Sequence, residues 1–124
     1  TISFGDRVSE TLENLMRLQA EYSEDDWDGY GARAIDKESF QTTLRLALSI
    51  PSSVPVPELD VMPGGEVAFI WSRHKRLVFT IIVGSRNELS YAGLYGTKRH
   101  YGTDHFEDGP IPPEILRHIR MVYD

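Results

Sequence analysis

The hydrophobic period of this chain changes once, and a proline-rich stretch marks the change. Before Pro51, apolar residues recur at helical spacing: Val8, Leu12, Leu15, Met16 and Tyr22 in a first segment, then Phe40, Leu44, Ala47 and Leu48 in a second. Residues 51–57 hold three of the seven prolines and read as an extended connector. Beyond it the period is two. Helical and strand-like patterns that occupy separate blocks exclude a repeating strand–helix–strand architecture and imply an α+β fold. We therefore expect two N-terminal helices, a four-stranded antiparallel β-meander and a C-terminal helix packed on one face of the sheet, in a single domain over residues 1–124.

Local signals place the ends of these elements. Asp36 is suited to cap the second helix, with Ile35 and Phe40 at hydrophobic-staple positions, and Pro51 ends it. Strands are expected at 58–62, 66–73, 76–83 and 88–95. Pro63-Gly64-Gly65, His74-Lys75 and 84–87 form the turns between them. Val67, Phe69 and Trp71 share one face of their strand. The segment 76–83 is apolar on both faces, which predicts a central strand buried on both sides. Residues 96–109 are polar and punctuated by glycine, so they read as a loop, with at most a short edge strand. Pro112-Pro113 opens the last helix, whose apolar face comprises Ile115, Leu116, Ile119, Val122 and Tyr123. His118, beside Arg117 and Arg120, reads as a surface cation complementing the helix dipole.

Charge and composition narrow the function classes. Thirteen Lys and Arg against nineteen Asp and Glu leave a net charge of −6, opposite to the basic footprint of generic nucleic-acid or anionic-membrane binding. The absence of cysteine removes disulfides, thiolate metal sites and cysteine nucleophiles, and fits the reducing cytoplasm. The longest strongly apolar run, 77–83, is far below the roughly 20 residues that span a bilayer. No phosphate-cradling glycine loop, nucleophile elbow or paired-histidine zinc helix is present, and no cofactor or metal is implied.

Three constellations could still carry chemistry. The first is the acidic aromatic segment Glu24-Asp25-Asp26-Trp27-Asp28-Gly29-Tyr30. Acidic groups around an aromatic anchor suit a basic partner surface, which nominates Asp25, Asp26, Trp27, Asp28 and Tyr30 as binding residues. The same residues allow a packed structural loop. Glu24, Asp26 and Asp28 also match the first ligands of a calcium loop over residues 24–36, but Ile35 then stands where the bidentate glutamate belongs. The second constellation is 98–105, where Lys98, His100 and His105 offer the cation, base and acid of a small nuclease or hydrolase. The third is the basic hairpin tip Arg73-His74-Lys75-Arg76, which fits a solvated turn that discourages edge aggregation, or a phosphate contact. Phe69, Trp71, Phe79, Tyr91 and Tyr95 suggest core packing more than a base-stacking platform.

Trp27-Asp28-Gly29-Tyr30-Gly31-Ala32, then Ile35, Gly64-Gly65-Glu66 before an apolar strand ending at Trp71, and Tyr91-Ala92-Gly93 together resemble a group of small bacterial and phage proteins. These carry a Trp-Asp-Gly-x-Gly-Ala signature followed by a Gly-Glu-strand-Trp segment. The resemblance covers roughly residues 25 to 120. It implies a bacterial or phage source, and no activity or functional residue is attached to it.

Size, acidity, missing catalytic motifs and the acidic aromatic loop together point to a small cytoplasmic, non-enzymatic interaction or regulatory module, in the manner of antitoxin or immunity proteins. Its partner would be a protein with a basic surface. The nuclease and calcium readings are the alternatives, and an exposed edge strand would permit a homodimer.

Overall fold

A computed structural model describes the backbone of residues 4–124 and the side chains from Glu10 onward. Its elements run α1 (Phe4–Glu21), α2 (Lys37–Ser49), β1 (Glu58–Val61), β2 (Val67–His74), β3 (Leu77–Val83), β4 (Glu88–Tyr95), β5 (Lys98–His105) and α3 (Pro113–Tyr123). The strands form one antiparallel sheet in the order β1-β2-β3-β4-β5, so each hairpin pairs sequence neighbours and β3 lies at the centre. The class is the expected α+β, but the sheet has five strands rather than four.

The fifth strand corrects the loop expected at 96–109. All eight residues from Lys98 to His105 pair with Tyr95 to Glu88 without a break in register. Gly96, at φ +70, makes the tight turn between them. The polar sequence of β5 hides its strand character because only one edge and part of one face are covered. Its exposure alternates residue by residue, with His100, Gly102 and Asp104 half-buried and Arg99, Tyr101, Thr103 and His105 exposed.

All the helices described lie on one side of the sheet. A single cluster joins Leu15 of α1, Phe40 and Leu46 of α2, Ile115, Ile119 and Val122 of α3, and the residues of one sheet face: Val61, Val67, Phe69, Trp71, Phe79, Ile81, Val83 and Leu89. The aromatic residues that stand in adjacent strands are therefore core, as in the offset packing of Trp71 against Phe79 with centroids 6.2 Å apart. The Trp71 indole N–H donates to the carbonyl of Pro55 at 2.8 Å, which fixes the proline-rich connector against the sheet.

Several side chains differ from the expected faces. In α2 the buried stripe runs through Phe40, Thr43, Leu46 and Ala47, while Leu48 is 59% exposed. In α1, Leu15 is buried as expected, but Met16 is 54% exposed and Thr11 turns inward instead. The expectation for Val8 lies outside the described side chains. β3 is central but not covered on both sides: Val78, Thr80 and Ile82 are half-buried on the face that carries no helix. Asp36 does cap α2, its carboxylate accepting the amide of Ser39 at 2.8 Å, with Ile35 and Phe40 both in the core.

Candidate functional site

The acidic aromatic segment leaves α1 and returns to α2 as a loop closed by its own hydrogen bonds. Tyr22 and Trp27 meet edge-to-face with centroids 4.7 Å apart, and the Trp27 indole N–H donates to the Arg33 carbonyl at 2.6 Å. The Ile35 amide bonds the Tyr22 carbonyl at 3.0 Å, so the entry and exit of the loop are joined.

Each of the three aspartates nominated for binding also holds the backbone. Asp28 accepts the amides of Tyr30 at 2.8 Å and Ala32 at 3.1 Å. Asp26 accepts that of Gly31 at 2.7 Å, and Asp25 that of Ala34 at 2.9 Å. The amide of Tyr30, foremost, holds the Asp28 carboxyl below its ordinary range. Asp26 itself sits at φ +63, and Gly29 and Gly31 at +76 and +86 flank Tyr30, a backbone path that short polar side chains and glycines make accessible.

The outer arm of the loop docks on the β1–β2 turn. Arg33 N–H donates to the Pro63 carbonyl at 2.7 Å and Asp36 N–H to that of Gly65 at 3.2 Å. Any Cβ at residue 65 would collide with the carbonyl oxygen of Ala34, so a glycine is required at this crossing. The Trp-Asp-Gly and Gly-Gly-Glu segments, more than thirty residues apart in sequence, thus form one unit. An open groove beside it is lined by Asp25, Arg33, Lys37, Glu66 and Arg86, and mixes both signs of charge.

The side chains of the five expected binding residues divide into two groups. Trp27 is half-buried against Tyr22, and the aspartates each spend one carboxylate oxygen on amides of their own chain. Tyr30 is 93% exposed and projects between the two glycines. For calcium, among the described residues no three His, Asp or Glu side chains converge as metal ligands.

The histidines of 98–105 are not brought together. His100 faces the helices, whereas His105, five residues on, faces the opposite side of the sheet and contacts the Glu107 carboxylate at 3.1 Å. The basic tip Arg73–Arg76 is exposed throughout.

His100 instead packs against a residue expected on the surface. His118 is 2% exposed, a buried ring under the sheet and not the solvent-facing helix cation expected. It stacks on Phe79 with centroids 5.3 Å apart and planes 4° from parallel, and meets His100 edge-on at 5.5 Å. The Tyr95 hydroxyl lies 2.7 Å from His118 Nδ1, and Glu114 Oε1 lies 3.3 Å from Nε2. Burial lowers the His118 pKa, with the Arg117 guanidinium adding to the effect, and burial raises that of Tyr95 to about 12. Both groups are thereby kept neutral, which suits a hydrogen-bonded core pair and not an activated nucleophile. The signal for burial lies in the spacing: 118 falls on the helical stripe of Ile115, Ile119 and Val122.

Among the described residues, no helix is long and apolar enough to cross a membrane. No family model, no curated protein and no solved structure matches the chain.

Proposed function

We propose that this chain is a non-enzymatic interaction protein of the cytoplasm, regulatory in the manner of antitoxin or immunity proteins, and that residues 24–34 recognise a partner with a basic surface. The observation that carries this reading is Tyr30, 93% exposed on a loop whose backbone is tied at almost every step to its own side chains. An ordered loop loses little conformational entropy on binding, and tyrosine is among the residue types that dominate interface energies. Asp25, Asp26 and Asp28 surround it with negative charge, in keeping with the net charge of −6.

The aspartates each use only one oxygen internally, so their charge remains available to a partner. Asparagine preserves that oxygen as an acceptor and removes the charge, which separates recognition from folding. A photo-crosslinking amino acid at position 30, used in extract from the source cells, should capture one basic protein at near-stoichiometric level. Capture should fail when Asp25, Asp26 and Asp28 are all changed to Asn, while the melting temperature stays close to that of the parent. Capture of no single protein, or capture indifferent to the Asn changes, would reject this reading.

A further inference from the structure

The sheet ends on two unlike edges. β1 is four residues long, follows Pro57, and has α1 beside it. Its pairing to β2 uses the backbone of alternate residues, as the Met62 amide bonded to the Glu66 carbonyl shows. The amide of Val61 therefore points away from the sheet, and the Asp60 carboxylate accepts it at 2.8 Å. This edge is short and partly closed to further pairing.

β5 is twice as long, holds no proline and pairs with β4 without a bulge. The Phe106 amide bonds the Asn87 carbonyl at 2.8 Å, so the even-numbered residues of β5 bond inward and the odd-numbered ones outward. At the outward positions the His105 amide is accepted by Asp104 at 2.9 Å. Arg99, Tyr101 and Thr103 keep backbone groups without a partner among the described residues. At their centre stands Tyr101, 74% exposed on the face that bears no helix, beside Ala92 and Leu94 of β4.

We infer that β5 pairs antiparallel with β5 of a second copy of this chain, about a twofold axis through Tyr101. The strand is electrostatically self-complementary in that register: Lys98 lies opposite Asp104 of the partner subunit, and the symmetry repeats the pair. Arg99 lies opposite Thr103 of the partner subunit, and the two Tyr101 rings adjoin on the same face. Centring the axis on His100 or Gly102 instead sets Lys98 against glycine or phenylalanine and loses both ion pairs. Opposite charges at facing positions stabilise strand pairing, and the polar ladder groups of the edge become satisfied. The product is one continuous sheet of twice the width, with both sets of helices on the same side. This assembly is independent of the loop at 24–34, which stands on the opposite, β1 side of the sheet's hairpins.

Sedimentation equilibrium over a concentration series should show a reversible monomer–dimer exchange. Lys98→Asp places two carboxylates in opposition and should weaken self-association about tenfold, while the double change Lys98→Asp with Asp104→Lys restores it. Because the chain contains no cysteine, Tyr101→Cys gives a single thiol pair. A directly facing, hydrogen-bonded pair has Cα atoms about 5.5 Å apart, within disulfide range, so this variant should oxidise to a covalent dimer and Thr103→Cys should not. Circular dichroism checks that each variant folds. The inference is overturned by a protein that stays monomeric to millimolar concentration, by a dimer indifferent to Lys98→Asp, or by cross-linking through position 103 in place of 101.

Discussion

The ring of Tyr91 on β4 lies over Gly102, its directly facing neighbour on β5, so closely that a Cβ at position 102 would overlap the Tyr91 hydroxyl and ring edge. Within β4 itself, Tyr95 folds over Gly93, two residues back on the same face of the strand. Tyrosine over a cross-strand glycine fills the space the glycine leaves and shields a backbone that would otherwise face water. Tyr91 is held in turn by Phe79 at 5.7 Å and His118 at 5.4 Å, so it has little freedom to move aside.

Gly102→Ala should consequently destabilise the protein by about 1–3 kcal/mol, the usual cost of overpacking, despite the higher strand propensity of alanine. Urea unfolding measures this. A neutral or stabilising result would mean that Tyr91 swings out of the way and that β5 is not held through this pair.

The loop aspartates should respond differently to Ala and to Asn. Changing Asp28 to Ala removes the acceptor for two amides, Tyr30 and Ala32, and should lower the melting temperature, whereas Asp28→Asn should lower it much less. Asp28 has a depressed folded-state pKa, so its contribution is full above the unfolded carboxylate value of about 3.9 and is lost as pH falls through the lower folded value. Thermal melts of Asp28→Ala against the parent from pH 5 to pH 2 should therefore converge at the acid end.

His118 should give the protein a second acid limb at higher pH. Its folded-state pKa is lowered, so below about 6.5 the unfolded chain takes up a proton that the folded chain resists. Stability is then undiminished above about pH 6.5 and declines as pH falls towards the lower folded value. His118→Phe preserves the stack on Phe79 and removes the titration, so its stability should change less between pH 7 and pH 5 than that of the parent. Equal slopes would show that His118 protonates in place without disturbing α3.

Tyr95 is the counterpart at alkaline pH. Its folded-state pKa of about 12 exceeds the unfolded value near 10, so stability it lends is present below about pH 10 and lost as pH rises beyond it. An ultraviolet titration should show one phenol ionising about two units later than an ordinary tyrosine, and that late step should vanish in Tyr95→Phe. The same substitution leaves the buried His118 Nδ1 without its 2.7 Å partner and should cost about 1–3 kcal/mol at neutral pH.

Residue order alone determined the coarse plan of this protein. The change of period at the proline connector, the Asp36 cap, the glycine turn at 63–65 and the Pro112-Pro113 start are local signals, and the helices and β1 to β4 follow them closely. Tertiary structure decided what periodicity cannot express. β5 is polar and becomes a strand because β4 offers it an unpaired edge and Tyr91 needs the space above Gly102. Leu46 rather than Leu48 is buried, because only the neighbouring element determines which stripe of a helix has a surface opposite it, whereas the burial of His118 was already legible in its place on the stripe of Ile115, Ile119 and Val122. The spacing of the aspartates at 25, 26 and 28 advertised charge to solvent. The positive-φ path of the loop turned one oxygen of each towards the backbone, since amides outside regular structure must find acceptors wherever the chain brings them.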